Sequence, residues 1–160
     1  MFKTADLCDA HYDSGTLQIS QPVFSDFGGL TQFSGKVRTV QCFEDNSKVR
    51  EMVSSEGDGC VLVVNAGASQ RCAMLGDMLA KKAVDNGWSG IIMNGYIRDS
   101  VEISTMQLGI KALGTMPVKS LKKGEGSVDV AVAFAGMHFQ PGNYVYADED
   151  GIICSRAALL

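Results

Sequence analysis

The sequence predicts a single mixed α/β domain over residues 1–160, with a parallel strand–helix–strand unit at its centre and a strand-rich second half. Three observations carry that reading. Cys60-Val61-Leu62-Val63-Val64 and Gly90-Ile91-Ile92-Met93-Asn94-Gly95 are short apolar runs bounded by glycines, the pattern of strands buried on both faces. Between them, Leu75, Met78, Leu79 and Ala83 recur at helical spacing, which gives an amphipathic helix from about Cys72 to Asn86 with Gly87 as its stop. Beyond residue 110, apolar and β-branched runs alternate with turn signals.

The elements follow in order. Thr4 is placed to cap a short helix over Ala5 to Tyr12 that ends near Gly15. After the turn at Gly28-Gly29, Phe33 to Phe43 reads as a strand. Asn46 or Ser47 opens a helix with Val49, Met52 and Val53 on one face, stopped by Glu56-Gly57-Asp58-Gly59. A loop over residues 65–70 leads into the amphipathic helix. The two buried strands are expected to be parallel with a right-handed crossover, which puts a ligand site at their C-terminal ends. Those ends continue into Asn65 and into the segment from Asn94 to Asp99. Further strands fall at Ile110 to Thr115, Val118, Val128 to Phe134, Tyr144 to Ala147 and Ile152 to Cys154, with a tight turn at Asp148-Glu149-Asp150-Gly151. Ser155 to Leu160 reads as a short helix.

Composition excludes several classes of function. A net charge of −4 and a pI of about 5.1 argue against a protein that coats nucleic-acid phosphates, so no direct nucleic-acid binding is expected. With 46% hydrophobic and 20% charged residues, the chain has the material for a core. No apolar run approaches the ~18 residues of a membrane span. Asp6, Asp9 and Asp13 stand where a signal peptide would be apolar, so a cytoplasmic protein is expected. The five cysteines form no C-x-x-C pair, and only His11 and His138 accompany them. A structural zinc site is therefore not expected, and the thiols read as small core residues in a reducing compartment.

The chemistry-bearing residues cluster after the second buried strand. Asp99 is expected at a strand exit, where a carboxylate can ligate a hard cation such as Mg²⁺, and the adjacent Arg98 can bind a carboxylate or stabilise an oxyanion. A plain surface Arg–Asp pair has the same spacing. Glu102 lies three residues beyond Asp99, so a helix starting near Ser100 turns both carboxylates the same way; acids at a helix start are also favoured by the macrodipole alone. Asp77 follows Gly76. If the amphipathic helix begins there rather than at Cys72, its free N–H groups point at the strand ends and can bind an anion; an Asp at that position also simply favours helix initiation. Met74, Met78 and Met93 read as core, and the Lys119 to Lys123 cluster as a solvated loop. No Gly-x-Ser-x-Gly, Walker A or dinucleotide fingerprint is present.

Asp77, then Arg98-Asp99 after twenty residues, then Glu102, resembles the Asp-x20-Arg-Asp-x2-Glu/Asp signature of the class II pyruvate aldolases that cleave 4-hydroxy-4-methyl-2-oxoglutarate or 4-carboxy-4-hydroxy-2-oxoadipate. Thr4 to Ala10, Phe27-Gly28-Gly29, Cys42 to Asn46, Leu108 to Gly114 and Tyr146-Ala147-Asp148 are also similar to this family, which includes the RraA-like regulators of ribonuclease E activity. The resemblance implies a swivelling β/β/α domain assembled as a homotrimer, or as a hexamer of paired trimers, with sites between subunits. It implies that Asp99 coordinates a divalent cation, Mg²⁺ or Mn²⁺, directly, with Glu102 and Asp77 acting through water. Arg98 and the backbone of Gly76, Asp77, Met78 and Leu79 would then bind a small 2-oxo acid, with Arg98 and Asp77 the catalytic pair. The implied activity is retro-aldol cleavage to pyruvate, with oxaloacetate decarboxylation through the same pyruvate enolate. Longer members carry an acid on an added C-terminal segment; none follows Ser155-Arg156 here. The other role the resemblance implies is binding and inhibition of ribonuclease E, for which an acidic protein suits an Arg-rich partner segment.

Overall fold

The computed structural model describes all of residues 1–160. In chain order the elements are α1 (Thr4–His11), a 3₁₀ turn (Tyr12–Ser14), β1 (Leu17–Ile19), β2 (Ser25–Asp26), β3 (Phe33–Gln41), α2 (Ser47–Val53), β4 (Val61–Asn65), β5 (Ala73–Leu75), α3 (Asp77–Asp85), β6 (Gly90–Ile97), α4 (Ser100–Ile103), β7 (Gly109–Thr115), β8 (Ser127–Val128), β9 (Val132–Phe134), β10 (Met137–Phe139), β11 (Tyr144–Asp148) and β12 (Gly151–Ser155). The main strand path runs β1-β12-β11-β3-β4-β6-β7-β2, with β5 added to β6 and β8 to β3.

Strand β3 joins two sheets. Its first residues pair antiparallel with β11 through Phe33↔Ala147 and Lys36↔Tyr144. Its later ones pair parallel with β4, from Val37↔Val61 to Gln41↔Asn65. The parallel sheet continues through β4–β6 and β6–β7, as the two apolar runs require. Period-two alternation then divides the core. Val61 and Val63 of β4 and Ile92 of β6 face the antiparallel sheet, with Val145, Ile152 and Phe139. Leu62, Val64, Ile91 and Met93 face the helices, with Val49, Val53, Leu79 and Ala83. The result is an antiparallel layer, a parallel layer and a helical layer, the β/β/α arrangement. A Cβ on Gly90 or Gly109 would come within 2.2 or 2.0 Å of the Phe33 ring, so both neighbours of that ring must be glycine.

Several expectations are corrected. The helix from Cys72 is a strand, a turn and a helix. Ala73 and Leu75 pair with Tyr96 and Ile97, and residues 73–75 are all buried, which a one-sided helix cannot provide. Gly76, extended at φ −129°, ψ −171°, is the residue that precedes the helix. Met78 is exposed rather than core, while Met74 and Met93 are buried. Val128 to Phe134 is not one strand: β8 pairs with β3 and β9 with β10. Val118 lies outside any named strand. Ser155 ends β12 opposite Leu17 and Tyr144. The tail beyond it is not helical; the Leu159 N–H reaches the Tyr146 hydroxyl at 2.8 Å instead. Thr4 is the first helical residue rather than the cap. Its N–H and hydroxyl donate to the buried Asp148 carboxylate at 2.7 and 2.6 Å, tying α1 to the end of β11. No helix is long and apolar enough to cross a membrane.

Candidate active site

The C-terminal ends of the parallel strands converge on a cleft of about 180 Å³. Two chain segments build its floor. β5 runs into Gly76 and the start of α3, and β6 runs into Arg98-Asp99 and the start of α4. The Arg98 N–H donates to the Leu75 carbonyl at 2.9 Å, which locks the two exits side by side. Asp99 adopts a left-handed conformation, φ 58°, ψ 40°, which Asp tolerates better than most residues. Its Oδ2 accepts the Asp77 N–H at 3.0 Å. Arg98 Nε lies 4.0 Å from the same oxygen, too loose to neutralise either group, and both side chains keep over a third of their surface exposed.

Gly76 is required here for space rather than for backbone freedom. A Cβ on it would lie 2.7 Å from Asp99 Oδ2 and 3.4 Å from Arg98 Nε. Beyond it, α3 presents donors. Asp77 N–H is taken by Asp99 and Ala80 N–H by Gly76, while the amides of Met78 and Leu79 have no acceptor within the chain. With the positive end of the helix macrodipole behind them, these two N–H groups are free to receive an anion such as a carboxylate.

Asn46, at the start of α2, also lines the cleft. It is only 8% exposed, and its Oδ1 has no partner. A buried acceptor left unpaired costs about 1–3 kcal/mol, a cost a ligand donor would relieve. In the sequence Asn46 reads as a helix opener and as part of the family-like segment Cys42 to Asn46, not as a site residue; it is the N-cap of α2. Its neighbour Asp45 staples this wall. The Asp45 carboxylate accepts from Ser47 N–H at 2.9 Å, Lys123 N–H at 2.8 Å and Glu125 N–H at 3.1 Å, and from the Ser47 hydroxyl. Burial pushes its pKa up, but these donors outweigh it and hold the group at about 2. The lysine loop is thereby fastened against α2, and Lys119 and Lys122 line the cleft instead of standing free.

The structure thus brings Gly76, Asp77, Met78, Leu79, Arg98 and Asp99 to one cleft. Glu102 does not line it; it stands exposed on α4. The donor set fits a hard cation rich in water. Asp99 Oδ2 is engaged, Oδ1 accepts no hydrogen bond, and one or two carboxylates with water completing the shell is the usual holding of Mg²⁺. No three His, Cys, Asp or Glu side chains gather into an all-protein cage.

A family model described as RraA-like, aldolase/RraA, matches residues 4–154. This chain belongs to the RraA-like family. Among RraA-like relatives, a protein of Aromatoleum aromaticum is 51% identical over 159 residues, covering 99% of both chains, and one of Laribacter hongkongensis is 52% identical with the same coverage. Both carry the provisional name 4-hydroxy-4-methyl-2-oxoglutarate aldolase. Two solved structures superpose with a TM-score of 0.95. One, from Geobacillus kaustophilus, is described as an S-adenosylmethionine:2-dimethylmenaquinone methyltransferase; it is 47% identical, covering 99% of this chain and 97% of its own. The other is described as the RNA-processing inhibitor RraA from Thermus; it is 39% identical, covering 100% and 96%. One fold thus carries three described roles, and the site must choose between them.

Proposed function

We propose that this chain is a divalent-metal-dependent carbon–carbon lyase that cleaves 4-hydroxy-4-methyl-2-oxoglutarate to pyruvate and decarboxylates oxaloacetate as a side activity. The observation that carries the reading is the single cleft in which Asp99, Arg98 and the free amides of Met78 and Leu79 meet, kept clear by Gly76. The names of relatives about half identical over their full length support it.

The α3 amides and Arg98 bind the 2-oxo acid through its carboxylate. Loss of the proton from the C4 hydroxyl turns C4 into the ketone of one pyruvate as the C3–C4 bond breaks, and that bond's electron pair moves onto the C2 oxygen to give the enolate of a second pyruvate. Arg98 offsets the negative charge that develops there. The enolate then takes a proton at C3. Oxaloacetate reaches the same enolate by losing carbon dioxide. Asp77 and Arg98 hold the water that exchanges these protons. A Mg²⁺ or Mn²⁺ held by Asp99, and through water by Asp77, would supply Lewis acidity at the ketone; Glu102, outside the cleft, is not part of this set. Met78 and Val101 are about three-quarters exposed beside the two halves of the site, an apolar rim that a second copy would cover in a homotrimer or hexamer.

The test is pyruvate release from both substrates, with Mg²⁺ and with EDTA, for the wild type and Asp99→Ala. Release that needs metal and is lost in the variant is expected. Release that survives the substitution overturns the mechanism, and no release from either substrate overturns the reading.

A second reading is ribonuclease regulation. It is favoured by the full-length likeness to a protein described as an RNA-processing inhibitor, and by the net charge of −4, which suits docking on an Arg-rich segment. It predicts metal-independent binding to purified ribonuclease E that weakens as salt rises. Absence of binding at low salt eliminates it.

A further inference from the structure

The cleft holds more positive charge than one carboxylate needs. Arg50, Lys82, Arg98, Lys119 and Lys122 line it against only Asp77 and Asp99, in a chain whose net charge is −4. Six of the fourteen Lys and Arg residues stand in ion pairs. Of the eight that do not, four line this one cleft: Arg50, Lys82, Lys119 and Lys122. By contrast, the lysine in the larger cavity beside α1, Lys111, is used up by the Asp148 carbonyl at 2.6 Å and Asp26 at 3.0 Å.

We infer that Arg50 and Lys82 form a second anion subsite that selects 2-oxo acids carrying a distal carboxylate. The inference rests on the reading of the cleft as a 2-oxo acid site. Arg50 and Lys82 each lie in the last turn of a helix, where the macrodipole favours a cation. That accounts for each residue singly, but not for both overhanging the same opening without an acidic partner. Position supports the assignment. Lys82 lies three residues beyond Leu79, about 4.5 Å of helical rise past the free amides that take the first carboxylate. Its stem leans back toward the helix N-terminus, and it is half-buried. A short dicarboxylate spans that distance. Arg50, exposed at the rim, lines the same cleft from α2, which packs against α3. With no Asp or Glu to neutralise them, the pair raises the local concentration of multiply charged anions and penalises a substrate whose distal end is apolar.

The test is calorimetric binding of 2-oxoglutarate and of 2-oxobutyrate at one Mg²⁺ concentration, for the wild type, an Arg50→Gln/Lys82→Gln double variant, and Arg98→Gln. The wild type is expected to favour 2-oxoglutarate by about tenfold or more, the scale of one charge-assisted hydrogen bond. The double variant is expected to lose that preference and keep its 2-oxobutyrate affinity, while Arg98→Gln weakens both acids. A wild type that binds both acids equally through Arg98 overturns this inference alone, as does a preference that survives in the double variant. A wild type that binds neither acid overturns the inference and the lyase reading together.

Discussion

The carboxylate of Asp99 accepts the backbone N–H of Asp77 at 3.0 Å, across twenty-two residues of sequence. One contact therefore does two jobs: it satisfies the first orphan donor of α3 and fixes the carboxylate that stands over the cleft. Because α3 begins at this contact, the free amides of Met78 and Leu79 behind it are placed by the same bond.

That relationship separates stability from activity at position 99. Asn keeps an acceptor for the Asp77 N–H and tolerates the left-handed backbone, so Asp99→Asn is expected to melt within a few degrees of the wild type. It removes the negative charge that would hold a cation, so metal-dependent pyruvate release should fall by about a hundredfold or more. A variant that retained full turnover would show that the charge of Asp99 is dispensable.

Gly76→Ala tests the cradle. The φ of −129° is open to alanine, so folding should survive, with a thermal midpoint shifted little. The added methyl would stand 2.7 Å from Asp99 Oδ2 and displace it. A loss of turnover of about tenfold or more is expected, measured beside a melting curve. An unchanged rate would mean that neither Asp99 nor Arg98 needs its present position.

Asp45 sets an acid limit on the site wall. Its carboxyl sits at about 2 in the folded chain, below the ~3.9 of an unfolded Asp. Its contribution is therefore complete above pH ~4 and is lost as pH falls from there through about 2. Asp45→Asn should destabilise the protein at neutral pH, and the gap from wild type should close across that window in urea titrations. A gap that stayed constant down to pH 2 would contradict this linkage.

Thr4→Val removes one hydroxyl donor from the buried Asp148 carboxylate and keeps the side-chain shape. A cost of about 1.5–3 kcal/mol is expected, read as a lower urea midpoint at an unchanged m-value. Activity of the folded variant should be unaltered, because α1 and β11 lie outside the cleft.

The sequence alone determined the elements whose signal is local. β4 and β6 were visible because a strand buried on both faces must be apolar throughout, and the α2 face was visible because Val49, Met52 and Val53 pack one way. The spacing from Asp77 through Arg98 and Asp99 to Glu102 was also plain in the chain. What the sequence left open was register. Residues 72–76 satisfy helical periodicity as well as β pairing, and only β6, already placed beside them, supplied the partners that made Ala73 and Leu75 a strand and moved the helix start to Gly76. The Asp77–Asp99 contact depends on that shift. Arg50 and Lys82 as cleft residues, and the buried unpaired oxygen of Asn46, were invisible for the same reason. Nothing local marks them as site residues, and they meet only because α2 and α3 pack side by side over the parallel sheet and bring them to one opening. Local propensity is written in neighbouring residues, whereas a site is made by residues that tertiary packing brings together.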